Sequence, residues 1–333
     1  MRFILTTKNQ LSKASLQFDD NRLLPVLYGE HNKNLRLIET LCDVQISSRG
    51  NEIFISGNTN HINQATHIFE TIWDKVQSGI IISTKDIDTA YRFLQQEEDN
   101  TMEKPKQTTD SKGSFTTYKN QPIEPRSPNQ ALYLNTIKKN ELVFGIGPAG
   151  TGKTYLAVAA AVAMFKEGII DKMVFCRPAV EAGERLGFLP GDMMDKVDPY
   201  LRPIYDALHD MMPADKIAKK IEIGEIEIAP LAFMRGRTLK NAFVVLDEAQ
   251  NTTSMQMKMF LTRMGEGTRM IITGDPTQID LPNGEKSGLK EAMSILRNVN
   301  DIPFVHFDSK DVVRHKLVSK IIKAYDQHDF RNN

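Results

Sequence analysis

Short apolar runs alternate with helical stretches from about residue 129 to the end of the chain. Each run is apolar at consecutive positions, which is typical of strands buried on both faces. The alternation predicts an α/β fold with a parallel sheet covered by helices on both sides. The predicted strands are Leu142–Ile146, Met173–Cys176, Ile226–Ala229, Phe243–Leu246, Met270–Thr273 and Phe304–Phe307.

The first 96 residues have a different pattern, in which half-buried strands are mixed with amphipathic helices. Their order, β-α-α-β-β-α with a trailing helix, predicts a small α+β domain. The predicted elements are strand Ala14–Phe18, helices Arg22–Tyr28 and Asn34–Cys42, strands Val44–Ser47 and Glu52–Ser56, and two helices ending near Gln77 and Gln95.

Residues 97–128 are polar and end in a cluster of three prolines. Such a segment does not bury enough apolar surface to offset the entropy lost on ordering. We therefore expect a small domain over residues 1–96, a flexible linker over 97–128 and a larger domain over 129–333.

Composition narrows the class of protein. Lys and Arg together number 42, as do Asp and Glu, and this zero balance excludes a histone-like basic protein. Two distant cysteines, Cys42 and Cys176, form no disulfide framework and no zinc pattern. No signal peptide is recognisable, and the longest apolar run, Tyr155–Phe165, is shorter than the ~20 residues that span a bilayer. We expect a soluble cytoplasmic protein without a membrane partner.

A phosphate-binding loop follows the first strand of the larger domain. Its eight residues match G-x-x-x-x-G-K-[ST], and an Ala-rich helix begins at the lysine. Glycines let the backbone amides approach phosphate oxygens, and the helix N-terminus attracts anions. Lys153 is expected to reach the β and γ phosphates of ATP, and the Thr154 hydroxyl to ligate Mg²⁺. The expected nucleotide-binding residues are Gly147, Pro148, Ala149, Gly150, Thr151, Gly152, Lys153 and Thr154.

Polar residues also follow two other predicted strands, where ligands bind in open α/β sheets. Asp247 and Glu248 come directly after Phe243–Leu246. Asp247 is expected to hold Mg²⁺ through water, and Glu248 to polarise the attacking water as a general base. Gln278, which follows Met270–Thr273, is expected to hydrogen-bond the γ-phosphate and that water.

The stretches GPAGTGKT, VVLDEAQ and TGDPTQ together resemble the PhoH-like ATPase family, which is related to the cores of superfamily 1 helicases. The resemblance is dense over roughly residues 129–325 and implies a RecA-like fold. It places Gln130 where such helicases have an adenine-reading glutamine. Arg314 resembles an arginine that senses the γ-phosphate, within one chain or from a neighbouring subunit. The segments that resemble motifs contacting nucleic acid or a neighbouring subunit contain Arg177, Arg185, Arg235 and Arg237.

The order of elements in residues 1–96 resembles a KH-type RNA-binding module, which grips the nucleic-acid backbone with a G-x-x-G loop. Here that place holds Gly29-Glu30-His31-Asn32. Asparagine tolerates a left-handed backbone, but the middle residues are acidic and neutral, so we expect weak attraction of phosphate. RNA binding and a role as a scaffold or oligomerisation domain both stay open.

The leading hypothesis is a Mg²⁺-dependent ATP hydrolase coupled to RNA, as a helicase or translocase is. One alternative is a nucleotide-controlled switch that binds an RNA-processing partner such as an endoribonuclease. A less favoured one is a small-molecule phosphotransferase. About 205 residues follow Pro128, enough for one RecA-like domain, whereas monomeric superfamily 1 helicases use two. This predicts a homo-oligomeric ring with its sites between subunits, while a dimer or a non-hydrolysing monomer stays open.

Overall fold

The fold is described from a computed structural model, which covers residues 2–8, 11–99, 114–119, 122–178, 193–282, 284–313, 317–318 and 321. The chain divides into two compact units, residues 1–108 and 109–333. The point of division lies inside the predicted linker 97–128. Each unit has a hydrophobic core of its own.

The first unit is a four-stranded antiparallel sheet, in the order β1-β2-β4-β3, packed with four helices. The predicted β-α-α-β-β-α order and the trailing helix are present from β2 onward, and β1 is an additional strand. The elements are β1 (Arg2–Lys8), β2 (Leu11–Gln17), α1 (Leu24–Tyr28), α2 (Lys33–Cys42), β3 (Gln45–Arg49), β4 (Glu52–Gly57), α3 (Thr59–Gln77) and α4 (Thr84–Asp99).

Helix α3 supplies much of the first core because its apolar residues recur at helical spacing. Ile62, Phe69 and Trp73 are all buried. The Trp73 ring packs edge-on against Phe18, with ring centroids 4.8 Å apart. At the start of the helix, the Asn58 side chain accepts a hydrogen bond from the Asn60 amide, which caps the first turn.

The second unit is built on a six-stranded parallel sheet in the order β12-β7-β11-β10-β8-β9. All six predicted strands are confirmed, with ends within one residue of those predicted. The elements of this unit are β5 (Phe115–Thr116), β6 (Pro122–Ile123), α5 (Pro128–Lys139), β7 (Leu142–Ile146), α6 (Lys153–Lys166), β8 (Lys172–Arg177), α7 (Met193–Met211), α8 (Ala214–Glu222), β9 (Ile226–Pro230), β10 (Ala242–Leu246), α9 (Ser254–Leu261), β11 (Arg269–Gly274), α10 (Gly288–Leu296) and β12 (Phe304–His306).

Helices cover both faces of this sheet. Residues of α5, α6, α7 and α8 form the core on one face, and residues of α9 and α10 form the core on the other. Ten of the fourteen residues of α6 are buried, five of them alanines, and such small side chains let a helix lie close to its neighbours. This buried helix fixes the phosphate-binding loop at its N-terminus.

The last part of the predicted linker, where the structure describes it, packs on the second unit. Strands β5 and β6 pair as a short hairpin, and Phe115 is buried in the core of this unit. Ser127 caps α5 by accepting a hydrogen bond from the Gln130 amide. The described part of the second unit thus begins before residue 129, at residue 114. Within the described residues, no helix has both the length and the hydropathy needed to cross a membrane.

Candidate nucleotide site

The parallel sheet brings the expected site residues to one edge. Gly274 at the end of β11 pairs with Ile146 at the end of β7, and Leu246 at the end of β10 pairs with Cys176 near the end of β8. The residues that follow these strands therefore share the carboxyl edge of the sheet. They are the loop Gly147–Thr154, the acids Asp247 and Glu248, and the turn Asp275–Gln278.

Close backbone packing explains the first glycine of the loop. Gly147 has φ 150°, and an added Cβ would lie 2.4 Å from the carbonyl oxygen of Phe307. Gly152, which precedes α6, is left-handed, with φ 83°. The segment after β12 follows the loop closely, because the Val313 amide donates to the Gly150 carbonyl oxygen at 3.0 Å.

Lys153 is folded back onto its own loop. Its Nζ donates to the carbonyl oxygens of Gly147 at 2.7 Å and Pro148 at 2.8 Å, and the side chain is buried. Burial lowers the pKa of Lys153, and the carboxylates of Asp275, Asp247 and Glu248 oppose that shift. The triphosphate of ATP would add negative charge here and favour the protonated lysine further.

Asp247 accepts two hydroxyl hydrogen bonds on one oxygen. Thr154 Oγ1 donates to Asp247 Oδ1 at 2.6 Å, and Thr273 Oγ1 donates to the same atom at 2.7 Å. A hydroxyl and a carboxylate in contact are the oxygen ligands that suit Mg²⁺, which keeps several waters and binds through few protein groups. Among the described residues there is no cluster of three or more His, Cys, Asp or Glu suited to a metal, so phosphate oxygens and water would complete the shell. Thr154 and Asp247 therefore fit the expected ion.

Glu248 has both carboxylate oxygens occupied. Arg177 Nη2 donates to Oε1 at 2.6 Å, and Gln250 Nε2 donates to Oε2 at 2.5 Å. The Arg177 Nε also lies 3.7 Å from Asp247 Oδ2. The backbone of Glu248 is left-handed, with φ 52° and ψ 38°, which is rare for this residue type and marks a constrained turn.

Gln278 lies on the turn after β11 and belongs to the same network. Its Nε2 donates to Asp275 Oδ2 at 2.9 Å, and Asp275 also accepts from the amide and hydroxyl of Thr277. The Asp275 amide in turn donates to Gln250 Oε1 at 3.0 Å. A chain of contacts thus connects Gln278 to Glu248.

Comparisons of the sequence and of the structure with known proteins show what this chain is similar to. A family model described as "PhoH-like protein" matches residues 122–326. The chain belongs to the PhoH-like protein family. It is 49% identical to the PhoH-like protein of Bacillus subtilis over 303 residues, 91% of this chain and 94% of that one. The PhoH-like protein of Mycobacterium tuberculosis strain H37Rv is 45% identical over 303 residues, 91% and 85% of the two chains. Among solved structures, the Pif1 helicase of Candida albicans has a TM-score of 0.33 and 13% identity, covering 59% of this chain and 42% of that one.

Gln130 of this PhoH-like chain lies beneath the phosphate-binding loop. It is 3% exposed, and its Nε2 donates to the Thr151 carbonyl oxygen at 2.9 Å. Its Oε1 accepts from the Arg126 amide at 2.7 Å. Both ends of the amide thus contact main chain, so in this arrangement Gln130 supports the loop. Recognition of adenine by Gln130 stays a prediction.

The four arginines predicted to contact nucleic acid or a neighbour have different environments. Arg237 forms a two-pronged ion pair with Glu227, which Lys172 also contacts at 2.6 Å. Mainly through the Arg237 hydrogen bond, the pKa of Glu227 falls to about 2. This internal pair argues for a structural role of Arg237, whereas Arg235 is exposed. Arg185 and Arg314 lie outside the described residues.

Two site residues of this PhoH-like chain had no role predicted from the sequence. Thr273 is the last polar position before the glycine of TGDPTQ, and a hydroxyl at the end of a buried strand was the available signal. Gln250 closes the VVLDEAQ stretch. Its connection to both Glu248 and Asp275 depends on the pairing of β10 with β11, which no sequence spacing gives.

Proposed function

We propose that this PhoH-like protein binds ATP with Mg²⁺ at the carboxyl edge of the sheet and hydrolyses it to ADP and phosphate. One observation carries the proposal. The Asp247 carboxylate contacts the Thr154 hydroxyl of the phosphate-binding loop, and Glu248 is the next residue along the chain. A second acid beside the ion-binding acid is the group that water attack needs as a general base.

Each residue has a distinct task in this reaction. The loop amides and Lys153 would bind the phosphate oxygens, and Thr154 and Asp247 would hold Mg²⁺, whose charge would offset that of those oxygens. Glu248 accepts the proton of the attacking water while Gln278 orients that water toward the γ-phosphorus. The water oxygen bonds to the γ-phosphorus while the bond from that phosphorus to the bridging oxygen breaks, which gives inorganic phosphate and ADP.

We further propose that hydrolysis is coupled to cytoplasmic RNA. The support is the KH-like order of elements in the first unit and the positive φ of Gly29 and Asn32, which bound the loop at the place of a G-x-x-G motif. The zero net charge predicts that contact with RNA is local rather than spread over a broad basic surface.

The test is phosphate release from ATP and Mg²⁺, with and without single-stranded RNA. We expect hydrolysis that rises several-fold with RNA and disappears in K153A. Hydrolysis that is indifferent to RNA would overturn the coupling and leave the ATPase. No hydrolysis by the wild-type protein under either condition would overturn the proposal as a whole.

A second candidate is a nucleotide-controlled switch that binds an RNA-processing partner such as an endoribonuclease. The occupied carboxylate of Glu248 favours it, because a general base already held by Arg177 and Gln250 predicts slow basal turnover. Partner binding that changes between ATP and ADP, with RNA-independent hydrolysis, would select this function. A small-molecule phosphotransferase is less well supported, since a second acid beside the acid expected to bind the ion favours water as the acceptor.

We also propose a homo-oligomeric ring. Among the described residues there is one parallel sheet with one phosphate-binding loop, and the closing half of such a site would come from a neighbouring subunit, Arg314 included. Native mass measured with ATP and Mg²⁺ is expected to be a multiple of the chain mass. A single-chain mass would overturn the ring.

A further inference from the structure

Glu248 is held in a state that is unsuited to its proposed task. A general base must place a free oxygen lone pair against the attacking water. Here a guanidinium occupies Oε1 and a carboxamide occupies Oε2. The side chain is nevertheless 39% exposed, so solvent reaches it while its oxygens remain engaged.

Arg177 is the stronger of the two contacts. It is the last residue of β8, and its side chain is 17% exposed. Its guanidinium contacts Glu248 at 2.6 Å and approaches Asp247 Oδ2 at 3.7 Å, so one cation lies against both acids. Charge-assisted hydrogen bonds of this kind are about twice as strong as neutral ones.

Gln250 fixes the other oxygen and cannot readily move. It is 1% exposed, and its Oε1 accepts from the Asp275 amide at 3.0 Å. An added Cβ at Gly274 would lie 2.9 Å from Gln250 Oε1, so the backbone of the next strand packs directly on this amide. Of the two contacts, the one with Arg177 is therefore the more accessible to a competing group, since the Arg177 side chain is 17% exposed and Gln250 is 1% exposed.

We propose that Arg177 is a positioning residue that restrains Glu248, and that an anionic phosphate of a nucleic-acid backbone releases the restraint by competing for the guanidinium. This inference rests on the proposed hydrolysis and on its proposed coupling to RNA. Guanidinium groups bind phosphate in the same two-pronged manner as carboxylate, which makes exchange between the two partners chemically simple. Once released, Glu248 keeps its Gln250 contact and turns a free oxygen toward water.

The test uses the full chain with Arg177→Gln, which keeps much of the side-chain length and removes the charge. We expect kcat for ATP hydrolysis without RNA to rise about 3- to 10-fold, with KM for ATP little changed, because a charged hydrogen bond to the base is lost. Stimulation by single-stranded oligonucleotide is expected to fall toward one-fold. A gain in kcat cannot come from misfolding, which only lowers activity.

Two variants sharpen the result. Arg177→Lys keeps the charge without the planar fork and is expected to fall between wild type and R177Q in both basal rate and stimulation. Arg297→Gln removes an exposed arginine at the end of α10 and is expected to behave as wild type.

The outcomes separate this inference from the proposed function. A wild-type protein without ATPase activity overturns the hydrolysis itself. An active wild type with R177Q at or below the wild-type basal rate overturns the restraint and makes Arg177 a supporting residue. A faster R177Q that is still stimulated by RNA keeps the restraint but overturns its release by the nucleic-acid backbone.

Discussion

Lys153 must leave the carbonyl oxygens of Gly147 and Pro148 to reach a phosphate. In the structure its ammonium is satisfied by that loop, although burial lowers its pKa. The carboxylates of Asp247 and Glu248 are likewise engaged, since their oxygens accept hydrogen bonds from neighbouring side chains. In the proposed reaction these residues would exchange internal hydrogen bonds for ligand contacts, so we expect the loss of one partner to affect binding and hydrolysis differently.

Replacing Lys153 with alanine tests the phosphate contact. We expect the rate of hydrolysis by K153A to be about 10²–10³-fold below that of wild type. The variant lacks the lysine ammonium, whose positive charge is expected to contact the transferred phosphoryl group. ATP with Mg²⁺ is also expected to raise its melting temperature much less than that of wild type. The measurements are phosphate release and thermal shift, with Lys240→Ala as a control at an exposed position. Phosphate release by K153A at the wild-type rate would show that Lys153 has no role in hydrolysis.

At the scale of elements, strands that are buried on both faces could be predicted from the sequence, and some of the other strands could not. The six parallel strands were found because each is a continuous apolar run, as strands buried on both faces are. Strand β1 was missed, since Phe3–Leu5 is a short apolar run followed by polar residues. The hairpin of β5 and β6 was hidden because Phe115 is one buried aromatic in a polar segment. The loop and the acids were predicted from local motifs, whereas the Arg177 and Gln250 contacts depend on strand pairing.

The approach of the segment after β12 to the phosphate-binding loop predicts a specific cost at Gly147. G147A should lower the free energy of unfolding by about 1–3 kcal/mol more than G168A does, because its Cβ meets the Phe307 backbone. Gly168 is the matched control, since it has φ 71° and no atom within 4 Å of an added Cβ. Denaturant unfolding measures both. Equal costs would show that the loop moves away from Phe307 freely.

The Arg237 and Glu227 pair joins β9 to the segment before β10, and it predicts a pH dependence. The Glu227 pKa of about 2 is below that of a glutamate in the unfolded chain, so the ionised Glu227 stabilises the fold above about pH 4.5. That stability is lost as pH falls toward 2. R237A should cost about 1–3 kcal/mol at pH 7, and the difference from wild type should shrink through this window. Denaturant unfolding at several pH values tests it, and a difference constant with pH would contradict the assignment.

At the scale of the whole molecule, the two units have separate cores and one of them carries the whole described site. Calorimetry of the intact protein is therefore expected to show two transitions. ATP with Mg²⁺ should raise the midpoint of only one, since a ligand stabilises the unit that it binds. The shift should be much smaller in K153A. Equal shifts of both transitions would instead indicate that the units unfold together.

The most direct test of the central claim compares Glu248→Gln with wild type in ATP binding and in phosphate release. The account predicts that E248Q binds ATP with Mg²⁺ as wild type does, because Glu248 acts on water rather than on the nucleotide. It also predicts that hydrolysis falls by about 10²–10⁴-fold, the contribution of a general base. Hydrolysis at the wild-type rate in E248Q would contradict the assignment of Glu248 and with it the proposed mechanism.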